Sequence, residues 1–133
     1  MRDRSNEHAR RMVADYERVI FGLDELRQRT VADGSATPGF LARLDMRQEN
    51  MAFYLIARLI RSRMPIRPTL PALLSRLRGV GVYPLAVFPG QDHAPMQLRV
   101  LTAIFNHGYL LYPFADTYRA ADAVRARLAR WRR

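Results

Sequence analysis

Arginine is the residue whose number and placement suggest chemistry in this chain. All 22 basic side chains are arginine and none is lysine. A guanidinium presents a planar fork of N–H donors that binds a phosphate bidentately and stacks on flat rings, which an ammonium cannot do. A GC-rich coding sequence alone also favours arginine, so placement carries more meaning than number. Two clusters stand out: Arg58, Arg61, Arg63, Arg67, Arg76 and Arg78, then Arg119, Arg125, Arg127, Arg130, Arg132 and Arg133. No acid lies between Asn50 and Gln91, and only Asp116 and Asp122 accompany the second cluster. Part of the first cluster has a structural explanation, because arginine stems cover apolar surface and cations favour helix C-termini. Six positive charges without an acid are better understood if a polyanion neutralises them.

Other chemistries find little support. The chain has no cysteine, which removes disulfides, thiolate metal sites and a cysteine nucleophile. Its histidines are His8, His93 and His107, and the last two bracket one expected helix, too far apart for a local acid–base pair. Asp92 beside His93 reads as a helix cap. There is no metal-ligand spacing, phosphate-cradling glycine loop or nucleophile motif. The expectation is a protein that is not an enzyme and uses no cofactor or metal. The aromatics Tyr83, Phe88, Tyr109, Tyr112, Phe114 and Tyr118 lie between the arginine clusters and chiefly read as core, with Tyr109, Tyr112 and Tyr118 as candidate stacking platforms for unpaired bases.

The charge is unevenly distributed. Residues 1–57 are formally neutral, and the whole surplus of +10 lies downstream. Such asymmetry points to nucleic acid or an anionic surface as partner. The N-terminus has no apolar signal region, and the uncharged stretch 79–91 is too short and proline-broken to span a bilayer. A cytoplasmic location is expected, with no membrane partner.

Elements must position these side chains. Ala9, Met12, Tyr16, Val19, Leu23 and Leu26 recur at a heptad-like spacing and predict a first helix from about Asn6 to Arg29, followed by a turn at 32–36. Thr37-Pro38 is a capped start for a second helix reaching about Arg63. Its segment 51–56 is apolar on nearly every side and should be the most buried, whereas 47–50 should be a more exposed turn. Thr69 is expected to cap a short third helix ending at Gly79, and a fourth should run from about Pro95 to Asn106. The runs 80–88 and 109–114 read as extended, and could pair as a small two-stranded β element. A last helix over about 116–132 separates Ala121, Val124, Leu128 and Trp131, expected to dock on the core, from Arg119, Arg127, Arg130 and Arg133 opposite.

The fold class that follows is mainly α: a compact bundle of about five helices with an N-terminal antiparallel hairpin. It forms one domain over 1–133, with a charge-neutral helical hairpin at 1–63 and an arginine-rich half at 64–133. The spacing between the last two helices is too long for a helix-turn-helix. The expected function is therefore nucleic-acid binding, DNA or RNA, through phosphates and with little base specificity. Arg58, Arg61, Arg63, Arg67, Arg76, Arg78, Arg119, Arg127, Arg130 and Arg133 are the candidate contacts, of which about four to six would engage together. The build is similar to that of the small helical subunits of CRISPR effector complexes, a likeness that rests on no motif. It implies a small subunit of a larger nucleoprotein complex, with protein contacts or self-association through the N-terminal helices. The alternative is a protein-interaction module or inhibitor that docks on an acidic partner.

Overall fold

The computed structural model describes residues 4–62, 64–86 and 96–132. It contains five helices: α1 Arg4–Ala32, α2 Pro38–Arg61, α3 Ile66–Gly79, α4 Met96–Asn106 and α5 Gly108–Trp131.

The α1–α2 turn follows the local chemistry of its residues. Gly34 adopts φ 75°, a left-handed conformation that favours glycine. Asp33 accepts from both the backbone N–H and the hydroxyl of Ser35, which holds its carboxyl below the ordinary range. Thr37 caps α2 by accepting from the Phe40 N–H at 3.1 Å, with Pro38 at the first helical position.

α1 and α2 run antiparallel, since Met12, Ile20 and Arg27 meet Arg58, Gln48 and Asp45 in turn. The buried seam of α1 is carried by Ala9, Val13 and Ile20, with Met12 and Tyr16 packed against it. Val19 stays exposed, so the seam falls one residue beyond the expected heptad position.

α2 is the hub, and contacts α1, α3 and α5. Ala52, Phe53, Leu55, Ile56, Leu59 and Ile60 are all buried, which matches the expectation for 51–56 except at half-buried Met51 and exposed Tyr54. The polar run 47–50 differs from its expectation. Gln48 is buried, donates to the Ile20 carbonyl at 3.0 Å and accepts from Arg27 at 2.6 Å. A buried amide with both ends satisfied joins two helices without an unmade hydrogen bond.

α3 starts at Ile66, three residues before the expected cap at Thr69. Pro68 falls in the first turn, where a missing N–H removes no helical bond. Leu70, Leu73, Leu74 and Leu77 are buried beneath it.

No strand forms among the described residues, which corrects the expected β element. The run 109–114 is the start of α5, opened by backbone bonds from Leu110 and Leu111 to the His107 carbonyl. Its buried residues, Leu111 and Ala115, are four apart, a helical spacing that a short apolar run does not reveal. Residues 80–86 are irregular: Gly81, at φ 77°, Val82 and Tyr83 donate their N–H groups to the Arg78 and Leu77 carbonyls at the end of α3, and side chains hold Leu85 and Ala86. Asn106 accepts from the Leu85 N–H and donates to the Leu85 carbonyl, each at 2.7 Å, and Glu49 accepts from Ala86. Tyr83 donates its hydroxyl to the Phe105 carbonyl at 2.7 Å. Residues 87 and 88 of the expected strand lie outside the described residues.

Candidate nucleic-acid interface

The C-terminus of α2 and the second half of α5 face each other across a groove of about 580 Å³. Arg61 lines it from α2, and Arg119, Arg127 and Arg130 from α5, so the two arginine clusters meet there. Among the described residues lining the groove, Asp122 is the only acid.

Each arginine has a different degree of engagement. Arg119 is half-buried and donates from Nε to the Ile60 carbonyl and from Nη2 to the Leu59 carbonyl, both at 3.1 Å. These are among the last carbonyls of α2, at the negative end of the helix dipole, and the Leu59 carbonyl also accepts from the Ser62 N–H at 3.1 Å. Ser62 completes the cap, since its hydroxyl donates to Leu59 at 2.7 Å. Burial pulls the Arg119 pKa down, and the nearby Asp116 works against that shift. Arg119 is thus chiefly a cap for α2. Arg61 donates to the Tyr118 hydroxyl at 3.2 Å, an interaction that favours its charged form. Arg127 and Arg130 are exposed on successive positions of the groove wall, and no ion pair engages them among the described residues.

The other expected contacts lie elsewhere. Arg58 sits 5.4 Å from the Tyr16 ring centroid and points a guanidinium N–H at the Met12 sulfur, 3.7 Å away. Arg76 is ion-paired with Glu17 of α1. Arg78 lies over the Tyr83 ring at 5.3 Å. Arg67 is 3.8 Å from Asp116, with both side chains exposed. Arg63 and Arg133 lie outside the described residues, as do Phe88, Asp92 and His93. The first cluster is therefore dispersed over the α1, α3 and α5 sides of the fold, and the groove holds Arg61, Arg127 and Arg130 as its available charges.

The two faces of the last helix are the reverse of the expectation. Arg119 and Arg130 face α2, and Val124, Leu128 and Trp131 point outward at 55%, 56% and 89% exposure. The sequence separates the faces of α5 correctly but does not reveal that the helix passes beyond the core, where every residue from 120 to 132 is exposed.

A smaller apolar pocket of about 250 Å³ adjoins the groove and shares Ile60, Arg61 and Tyr118 with it. Ala57, Leu101, Phe105 and Phe114 complete its lining. Of the candidate stacking residues, Tyr109 is exposed beside His107, with ring centroids 5.5 Å apart, and Tyr118 is half-buried at the groove. His107 itself is engaged through Nδ1 with the Ala103 carbonyl at 2.7 Å.

Two polar residues that composition did not single out are Gln48 and Glu49. Burial lifts the Glu49 pKa to about 7, against the Ala86 N–H that favours its charge, and the nearby Asp45 adds to the rise. Only their position on the inner side of α2, four and three residues before buried Ala52, could have revealed them.

No protein-family model, curated protein or solved structure matches this chain. Among the described residues, no helix is long and apolar enough to cross a membrane.

Proposed function

We propose that this protein binds a nucleic-acid backbone, without catalysis and with little base specificity, in the groove between α2 and α5. The observation that carries this reading is the convergence of Arg61, Arg119, Arg127 and Arg130 on one groove with a single acid among its described lining residues. A cleft lined by one sign of charge concentrates its field and attracts the opposite charge. Guanidinium groups on both walls suit the repeated phosphates of a strand.

The adjoining pocket favours single strands. Its lining of Phe105, Phe114 and Tyr118 offers an apolar, aromatic site for one unstacked base next to the phosphate contacts. The reading extends to a small subunit in a larger nucleoprotein complex, in which groove contacts track RNA or DNA and protein contacts place the subunit.

Fluorescence anisotropy with labelled single-stranded and duplex oligonucleotides across a salt series tests the proposal. Three groove contacts correspond to a log–log salt slope of about −2 to −3. Single strands of unrelated sequence should bind alike, and more tightly than the duplex. Absence of binding at low salt overturns the reading.

A further inference from the structure

The exposed outer face of α5 has the pattern of a helix-docking seam. Thr117, Ala121, Val124, Leu128 and Trp131 follow one another at spacings of four, three, four and three, and all are exposed. At about 100° per residue they fall within an arc of about 80°. This is the narrow a/d stripe of a coiled coil rather than the broader apolar face of a helix that packs on a core. The stripe spans about 21 Å at about 1.5 Å per residue, or four turns. It lies on the side of α5 away from the groove, whose wall is formed by Arg119, Ala126 and Arg130.

The positions beside the stripe decide what it can accept. Arg125 and Arg132 follow Ala121 and Leu128 by four residues on one edge, and Arg127 precedes Leu128 on the other. These are the e and g positions of the heptad, where charges select coiled-coil partners. All three are exposed arginines, and among the described residues none of them is in an ion pair. A second copy of the chain would set arginine against arginine, with a net charge of +10 on each protein. An anionic bilayer matches the charge, but interfacial helices gain their affinity from a wide apolar face, and three large side chains on a narrow stripe provide little.

We propose that the outer face of α5 docks an amphipathic helix of a partner protein whose own seam is apolar and whose flanking positions carry carboxylates. Trp131 anchors the contact, since an exposed tryptophan at a helix seam provides large apolar area at small entropic cost. Carboxylates on the partner meet Arg125, Arg127 and Arg132 along the two edges. The rest of the groove lies on the opposite side of α5, and Arg127, which lines it, is the one arginine the two surfaces share.

Trp131 is the only tryptophan of the chain, so its fluorescence reads this surface directly. The probe is a tryptophan-free synthetic peptide of three heptads with leucine at a and d and glutamate at e and g. Two controls are the same composition scrambled and the same seam with lysine at e and g. The glutamate peptide should give a saturable blue shift of Trp131 emission, and both controls should give none. Val124→Asn with Leu128→Asn replaces exposed side chains, so the helical circular dichroism should persist while peptide affinity falls at least about tenfold. The same double variant should bind oligonucleotides as the parent does, which separates failure of this surface from failure of the groove. Equal response to the scrambled or lysine peptide overturns the proposal. So does a shift that appears only with phosphatidylserine vesicles, or one that grows with protein concentration alone and tracks dimer formation in sedimentation.

Discussion

Arg119 distinguishes a structural arginine from a binding one, and its replacement by methionine makes the difference measurable. Arg119→Met keeps most of the apolar stem and removes the donors to the Leu59 and Ile60 carbonyls. Each bond contributes about 1 kcal/mol net, and a cation at a helix C-terminus adds about 0.3–1 kcal/mol. Relief of the guanidinium's partial desolvation, seen in its lowered pKa, offsets part of this. The net cost should be about 1–2 kcal/mol, which for a domain of this size lowers Tm by roughly 4–7 °C. Thermal unfolding followed by circular dichroism at 222 nm provides the assay. Arg127→Met and Arg130→Met are the controls, each expected within about 0.5 kcal/mol of the parent because their side chains are exposed. If Arg119→Met melts with these controls, the cap assigned to Arg119 is wrong. The groove would then regain a fourth available charge.

Three further outcomes follow from the packing and the polar contacts. Leu55 is fully buried in the hub helix, so Leu55→Ala should cost about 2–5 kcal/mol in urea unfolding. Asn106→Ala removes both bonds to the Leu85 backbone and should cost about 1–2 kcal/mol, with faster hydrogen exchange at the Leu85 amide. Glu49, with a pKa raised to about 7 from 4.5, takes up more protons in the folded state than in the unfolded one. Its contribution to stability is therefore full below pH 4.5 and is lost as pH rises through about 7. Glu49→Gln should flatten that decline, and at pH 8 should be more stable than the parent by about 1 kcal/mol after allowance for solvent screening, as read by urea midpoints.

Helix identity and the central place of α2 were legible because they rest on local signals: the Thr37-Pro38 cap, the turn glycine at 34 and the apolar run 51–56. Residues 109–114 were misleading because six apolar residues fit either a buried strand or a helix, and the period becomes visible only when Leu111 is read with Ala115 and Tyr118. The path of 80–83 follows a local signal, Gly81 at φ 77° closing α3 through bonds to Leu77 and Arg78, whereas that of 85 and 86 depends on Asn106 and Glu49, distant in sequence. For the candidate site, the two arginine clusters were visible as charge, and their meeting at Arg61 is a tertiary fact. Which face of α5 turns inward was not legible, because guanidinium groups that cap a neighbouring helix look in sequence like a solvated edge. Arg76 and Arg78 read as binding residues until Glu17 and Tyr83 are placed beside them.

The central claim is that the groove charges hold a nucleic-acid backbone, and the triple variant Arg61→Gln, Arg127→Gln, Arg130→Gln tests it most directly. Arg119 is left in place so that α2 keeps its cap. Anisotropy with a single-stranded oligonucleotide across a salt series, on parent and variant with matched circular dichroism, gives two log–log slopes. The account predicts weaker binding and a slope flatter by about 2 for the variant, since each lost phosphate contact removes about 0.7 for a single strand. An unchanged slope and affinity would contradict it and place any binding outside the groove.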